Sequence, residues 1–339
     1  MRTAISQTTP VSRPPRRLML ATLAALAAAP LLAFAAPAAA QEAYPTRTIR
    51  FVVPFSAGSA TDTLARVLGE KVSSILGQPV VVENLPGATG QIAASNVARA
   101  APDGYSVLIT SNSTHASNQA LYKKLSYDHI KDFEPVTTLG TITLALVVNP
   151  SVPVATTKDF IAYAKANPGK LSFGAGSTSS RLAVEMLKTG AGVDILYVPY
   201  KSNPQAVSDL LGGQIQVMFA DISTTLPQAR AGKLKALGVS SAERSKLAPE
   251  LPTMREAGIA DYELIAWFAA FVPAKTPAPV IATLNKAMVQ AMGDQSVQTA
   301  LLNAGIEPNS STPEALAKLV ASETKKWAEI TKAAGIEPE

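Results

Sequence analysis

The sequence predicts an α/β fold made of two doubly wound sheets joined by two crossing strands. Two observations carry this reading: short strand-like runs alternate with helical patterns, and two longer extended runs interrupt the alternation. The short runs are Ile49 to Val53, Val80 to Glu83, Ser106 to Thr110, Leu144 to Val148, Leu171 to Gly174, Ile195 to Val198, Gln216 to Phe219 and Lys235 to Val239. Buried strands separated by helices belong to parallel sheets covered on both faces, where ligands bind beyond the carboxyl ends of the strands. The interruptions, Val136 to Asn149 before Pro150 and Leu264 to Val272 before Pro273, read as passages between two lobes. Lobe one then combines 43–148 with 268–339, and lobe two holds 149–267, since long chains tend to divide. One large sheet is the alternative.

Residues 1–40 read as an export signal. Arg13, Arg16 and Arg17 charge its start, Leu18 to Leu32 supply the apolar segment, and Ala38-Ala39-Ala40 precedes Gln41 as a cleavage site. Pro30 interrupts the apolar run, which falls short of the ~20 residues of a spanning helix. Arg16-Arg17 also fits a twin-arginine signal, although paired arginines are ordinary at the start of any export signal.

Removing that segment takes four arginines and no acid from 30 basic and 25 acidic residues, leaving 26 against 25 and a net charge of +1. So balanced a chain offers no broad basic surface for nucleic-acid phosphates. With no cysteine, disulfides, thiolate nucleophiles and cysteine metal sites are excluded, and two histidines make a poor basis for zinc. No cofactor is expected: neither Gly58-Ser59 nor Gly87-Ala88-Thr89-Gly90 completes a dinucleotide fingerprint, and no phosphate-binding G-K-[ST] occurs.

The first strand leads into the most informative loop. After Val53 come Phe55, Ser56, Ala57, Gly58 and Ser59, and a helix starts at Thr61 or Asp62 with Leu64, Val67, Leu68, Val72, Ile75 and Leu76 on its apolar face. Gly77 and Pro79 end it. Unsatisfied N–H groups and the helix dipole make such a junction an anion site without any cationic side chain. The next loop, Ser111, Asn112, Ser113, Thr114 and His115, also follows a strand, and a third, Gly176 to Ser180 with Ser177, Thr178 and Ser179, leads into a helix. Each fits ordinary capping, but three such loops suggest a cleft.

Arg181 falls in the first turn of that helix, where a cation opposes the dipole; it fits either a ligand carboxylate or a salt bridge to Glu185. Asp221 would accept from a ligand hydroxyl or amine, or cap a helix beginning near Ser223. His115 reads as a polar loop residue and His129 as surface. A secreted hydrolase using Ser177 or Ser179 with His115 is a rival, but Gly174-Ala175-Gly176-Ser177-Thr178 lacks the nucleophile-elbow spacing. Ala304-Gly305-Ile306-Glu307-Pro308 echoes Ala334-Gly335-Ile336-Glu337-Pro338, which reads as helix-ending punctuation.

Several segments together resemble the Bug (TctC-like) family, the periplasmic receptors of tripartite tricarboxylate transporters. They are Arg50-Phe51-Val52-Val53-Pro54-Phe55 with Ala57-Gly58 and Thr61-Asp62; Gly77-Gln78-Pro79 through Asn84; Ala101-Pro102-Asp103-Gly104-Tyr105; Asp132-Phe133-Glu134-Pro135-Val136; Val198-Pro199-Tyr200-Lys201; and Asp209-Leu210-Leu211-Gly212-Gly213. The resemblance spans the chain beyond the export segment. It implies a two-lobed periplasmic binding protein of the type II, Venus flytrap kind, monomeric, whose first loop holds one end of a carboxylate ligand, often through water. The loops after Thr110 and Gly174 and the Tyr200 region would line the rest. Its partners would be a small carboxylate metabolite and the membrane components of a tripartite transporter; a binding module that signals to a membrane receptor would use the same clamp.

Overall fold

The computed structural model describes residues 44–338, with Ala4 and Thr9. The export-signal reading of 1–40 and its cleavage near Ala40 lie outside the described residues, those two positions aside.

In the first sheet β1 (Ile49–Val53) lies between β2 (Val80–Asn84) and β3 (Ser106–Ser111) and runs parallel to both. Ile49, Phe51 and Val53 face one apolar cluster with α1 (Ala60–Leu76), and Val52 faces another with α2 (Gln91–Ala98). The uninterrupted apolar run of β1 is what burial on both faces requires. Helix α1 begins one residue before Thr61 because Ser59 caps it, its hydroxyl accepting from the Asp62 amide at 3.2 Å. After the short α3 (Asn118–Leu121), β4 (Phe133–Val148) lies beside β9 (Ile265–Pro273), which pairs with β3.

Strand β4 carries both sheets. Its residues 133–143 pair with β9, and Leu144 to Val148 pair with β7 (Val217–Asp221) and β8 (Lys235–Val239). Next to β7 lies β5 (Ser172–Ala175), and beyond it β6 (Leu196–Pro199), both parallel to their neighbours. The helices of this second lobe are α4 (Thr157–Ala166), α5 (Thr178–Ala191), α6 (Asn203–Leu211) and α7 (Ile222–Arg230). Leu146 and Phe219 pack on the α5 side with Leu182, while Val147 and Met218 pack with Leu210 of α6. The chain ends with α8 (Ala278–Met292), α9 (Gln295–Asn303), β10 (Ile306–Glu307) and α10 (Pro313–Ala333).

Both sheets are mixed, not wholly parallel as the alternation suggested, because β4, β8, β9 and β10 form antiparallel pairs. A chain arriving from the other lobe has no helical crossover to impose parallel direction. The second crossing also differs from expectation: β9 pairs only within the first sheet, starting at Ile265. Register shifts after Pro135 and Thr138 irregularise β4 before it leaves this sheet. At the second, Gly140 adopts φ 140°, and a Cβ there would stand 2.8 Å from the Glu307 carbonyl oxygen of β10. Gly305 and Gly335 take φ 76° and 65°, as the punctuation reading of the echo requires. The sequence echo did not disclose the pairing of Ile306 and Glu307 with β4.

Candidate functional site

Loops from both sheets converge on a crevice. Phe55, Ser59 and Thr61 enter it after β1, Ser111 ends β3, and Ala266 and Phe268 come from β9, where Phe268 is registered opposite Ser111. The second lobe contributes Ser177 and Ser179 after β5, Ser202 and Asn203 after β6, and Asp221 at the end of β7. Helix starts recur around it: Ser59 caps α1, Ser177 caps α5 by accepting from the Ser180 amide at 3.2 Å, and Ser202 precedes α6. The local preference of serine for these positions thus delivers hydroxyls and N-terminal helix dipoles to one place.

Of the residues proposed from sequence, Phe55, Ser59, Thr61, Ser111, Ser177, Ser179 and Asp221 line this crevice. The others occupy its supports or its neighbourhood. Asp62 braces the first loop, accepting from the Gly58 amide at 2.9 Å, from Arg66 and from Asn84. Burial raises its pKa, but those donors outweigh it and hold the carboxyl below its ordinary value. Ala57 and Gly58 are exposed, whereas the Ser56 amide donates to Ser202 Oγ at 3.2 Å. The Asn112 carboxamide lies 2.9 Å (Nδ2) and 3.1 Å (Oδ1) from Ser179 Oγ, and Thr114 bonds Thr110 and His115. Arg181 and Tyr200 line a different, adjoining pocket, together with Thr178. Arg181 lies over the Tyr197 ring, 4.6 Å from its centroid.

Four crevice residues escaped the sequence reading: Ser202, Asn203, Ala266 and Phe268. The first two carried a signal, because Ser202-Asn203-Pro204 after a strand is a helix start with proline in the first turn. Ala266 and Phe268 carried none, since their position follows from the long-range pairing of β9 with β3 and β4. Gly176 is what lets the Ser202 segment approach: a Cβ there would stand 2.1 Å from the Ser202 carbonyl carbon. Its amide instead donates to Asn203 Oδ1 at 2.9 Å.

Asp221 is the one ionisable residue lining the crevice among the described residues, and no lysine or arginine joins it. Burial pushes its pKa up to about 6, against the lowering effect of a hydrogen bond from Asn203. Although Asp221 stands at the start of α7, its side chain does not cap the helix; its carbonyl accepts from the hydroxyls of Thr224 and Thr225.

His115 is not the polar loop residue that its sequence context suggests. It is wholly buried in a π-helical turn, stacked on Phe271 at 3.7 Å between ring centroids and edge-on to Phe133 at 4.7 Å. Burial drives its pKa well below the ordinary value, with His129 adding to the effect. Its Nδ1 pairs with Thr114 Oγ1 at 2.8 Å, while Ser177 and Ser179 bond to capping amides and to Asn112. The geometry supplies no serine–histidine pair for the hydrolase reading. Half-buried His129 instead contacts Thr324 of α10. Among the described residues, no group of three or more His, Asp or Glu side chains is placed to hold a metal ion.

Polar bonds close the crevice from both sides. Besides Ser56 to Ser202 and Asn112 to Ser179, the Thr178 amide donates to Ser113 Oγ at 3.3 Å and its hydroxyl to Asn118 Oδ1 at 2.8 Å. Loops of the first sheet therefore touch loops of the second directly.

A family model described as tripartite tricarboxylate transporter family receptor matches residues 64–336. Among solved structures, the chain is similar to R. palustris Rpa4515 with adipate, at 34% identity and TM-score 0.85, covering 87% of this chain and 100% of that one. It is similar to the periplasmic binding protein BugD at 36% identity and TM-score 0.84, covering 87% and 100%. It is also similar to MatC from Rhodopseudomonas palustris with bound malate, at 34% identity and TM-score 0.81, covering 85% and 99%.

Proposed function

The chain belongs to the tripartite tricarboxylate transporter receptor family, and from that premise we propose that it captures a small carboxylate and presents it to the membrane components of such a transporter. The observation that carries this reading is the crevice itself, where hydroxyls and helix starts from two lobes converge. Dipoles at the starts of α1 and α5 favour a negative group there without a cationic partner. The adipate and malate of two similar proteins support the ligand class.

Binding contacts from both lobes favour the closed form, which gives the membrane partner a shape to recognise. No covalent step is required of any residue. The role places the protein in the periplasm after loss of residues 1–40, as a monomer without cofactor. The division proposed is a first lobe of 43–148 with 268–339 and a second of 149–267; sheet membership supports it except at the crossings, where Leu144 to Val148 pair with the second sheet and Ile265 to Trp267 with the first, and no described helix is long and apolar enough to cross a membrane.

The test is thermal shift and calorimetry against a panel of mono-, di- and tricarboxylates including adipate and malate. A ligand at 100 times its Kd stabilises the fold by ~2.7 kcal/mol, and Thr61→Val should remove most of that shift. A flat response to the whole panel at high concentration would end the reading. Growth of a deletion strain on the bound acid then separates uptake from signalling.

A further inference from the structure

The strands that cross between the lobes have two faces, and the crevice uses one of them. Ala266 is registered opposite Ile142, Phe268 opposite Ser111, and Asp221 opposite Leu144, so these crevice-lining side chains share a face with Ile142 and Leu144. Successive side chains of a strand point to opposite faces. Thr141 and Thr143 therefore point away from the crevice, as do Ile265, opposite Thr143, and Glu307, opposite Thr141.

Those four residues line a separate cavity of ≈ 920 Å³, counting its open mouth. The crossing strands make its floor, Gly305 and Glu307 of the first lobe one wall, and the 241–247 loop of the second lobe the other. Both walls are braced. Arg244 donates to Glu256 at 2.9 Å and to the Pro249 carbonyl at 3.0 Å, and Arg230 donates to the Leu247 carbonyl at 2.8 Å. Glu307 is paired to β4, and Gly305 lies so near the start of α7 that a Cβ on it would stand 3.0 Å from Ile222 Cγ2. Thr143, half-buried, belongs to the floor.

On the crevice face, the bonds from Ser56 to Ser202 and between Asn112 and Ser179 hold the lobes together. Two stiff lobes that part on one face of a shared ribbon approach each other on the other face. Opening the crevice therefore narrows the cavity behind it, and whatever fills that cavity resists opening. Taking the crevice as the ligand site, we propose that the rear cavity sets the balance between open and closed forms, and that Thr143, by its small size, sets crevice affinity without touching the ligand. A small residue on the floor leaves the rear walls room to approach, so the free protein rests open; a larger one holds it closed. Raising the closed form from about 1% to about 10% of the free protein tightens apparent affinity about tenfold.

The chain has no cysteine, so Thr143→Cys supplies a single thiol that can be enlarged in the folded protein with methyl or benzyl methanethiosulfonate. Compared with the methyl adduct, the benzyl adduct should bind adipate or malate about tenfold more tightly in calorimetry. It should also give the ligand-free protein a smaller radius of gyration in solution X-ray scattering. Damage to the fold has the opposite sign, since it loosens binding and lowers Tm. Lys318→Cys, at an exposed position of α10, carries the same adducts as a control and should change neither quantity. The proposal is overturned if the thiol of Thr143→Cys fails to react in the folded protein, if the ligand-free radius does not contract with the larger adduct, or if affinity for a bound acid stays equal or falls. Failure of the crevice reading looks different: no response to the carboxylate panel in a protein whose ligand-free radius still contracts with adduct size.

Discussion

The Ser240 hydroxyl donates to the Leu264 carbonyl at 2.7 Å, and the Leu264 amide donates back to the Ser240 carbonyl at 2.9 Å. The same hydroxyl accepts from the Leu144 amide at 3.1 Å, and the Ser240 amide donates to the Leu144 carbonyl at 2.9 Å. One buried residue thus ties together the two passages between the lobes, Leu144 within β4 and Leu264 just before β9.

Ser240→Ala leaves the Leu144 amide and the Leu264 carbonyl without this partner. Stranding buried backbone groups costs about 1–3 kcal/mol, so the denaturant midpoint should fall accordingly with little change in slope. An unchanged midpoint would show that the knot does not hold the crossings.

Asp221→Asn should change how stability depends on pH. The native pKa of about 6 exceeds the ordinary aspartate value of 3.8, so the native state holds its proton longer than the unfolded chain. Wild type therefore loses stability as pH rises from about 4 to 6 and stays at the lower level above. The asparagine variant lacks that loss and should be the more stable by about 1–3 kcal/mol near pH 7, the gap narrowing towards pH 4. A gap independent of pH in paired denaturation curves would refute the assignment.

His115→Phe addresses the opposite sign. Burial keeps the native imidazole neutral, while the unfolded residue takes up a proton below about pH 6.5. Wild-type stability should then fall by about 1.4 kcal/mol per pH unit below that point from this residue alone. Phenylalanine can still stack on Phe271, and its curve should be flatter over the same interval, whatever its offset. Parallel curves would contradict the buried neutral histidine.

Gly176→Ala should weaken crevice binding, because its Cβ would collide with the backbone of Ser202 and Asn203, at 2.1 and 2.4 Å. Relief by moving that segment costs about 1–3 kcal/mol, about 5- to 150-fold in affinity where the closed form bears it. Gly212→Ala is the control, since its nearest contact would be an ordinary 3.5 Å. Calorimetry showing equal affinity in both variants would mean that this close approach does not shape the site.

Much of the candidate site was legible because its parts are helix starts. Ser59 and Ser177 reveal themselves by standing between an apolar strand and an amphipathic helix, a signal contained in a few neighbouring residues. Ser202-Asn203-Pro204 carries the same signal. Arg181 was different: its first-turn position is evident, but the direction it faces depends on Tyr197, on which it stacks. His115 looked polar by type and loop by position, and only Phe271 and Phe133 make it part of the core.

The sequence by itself determined the strands and helices, their caps, and the set of loops at the carboxyl ends of strands, because backbone preference and burial period act over short stretches. Tertiary structure decided that Ser56 meets Ser202 across 146 positions and Asn112 meets Ser179 across 67, that Phe268 faces the crevice, and that Arg181 and Tyr200 line a pocket beside it. The physical reason is that such meetings depend on the register of β4 against β9 and on the closure of two lobes, which no local run of residues encodes.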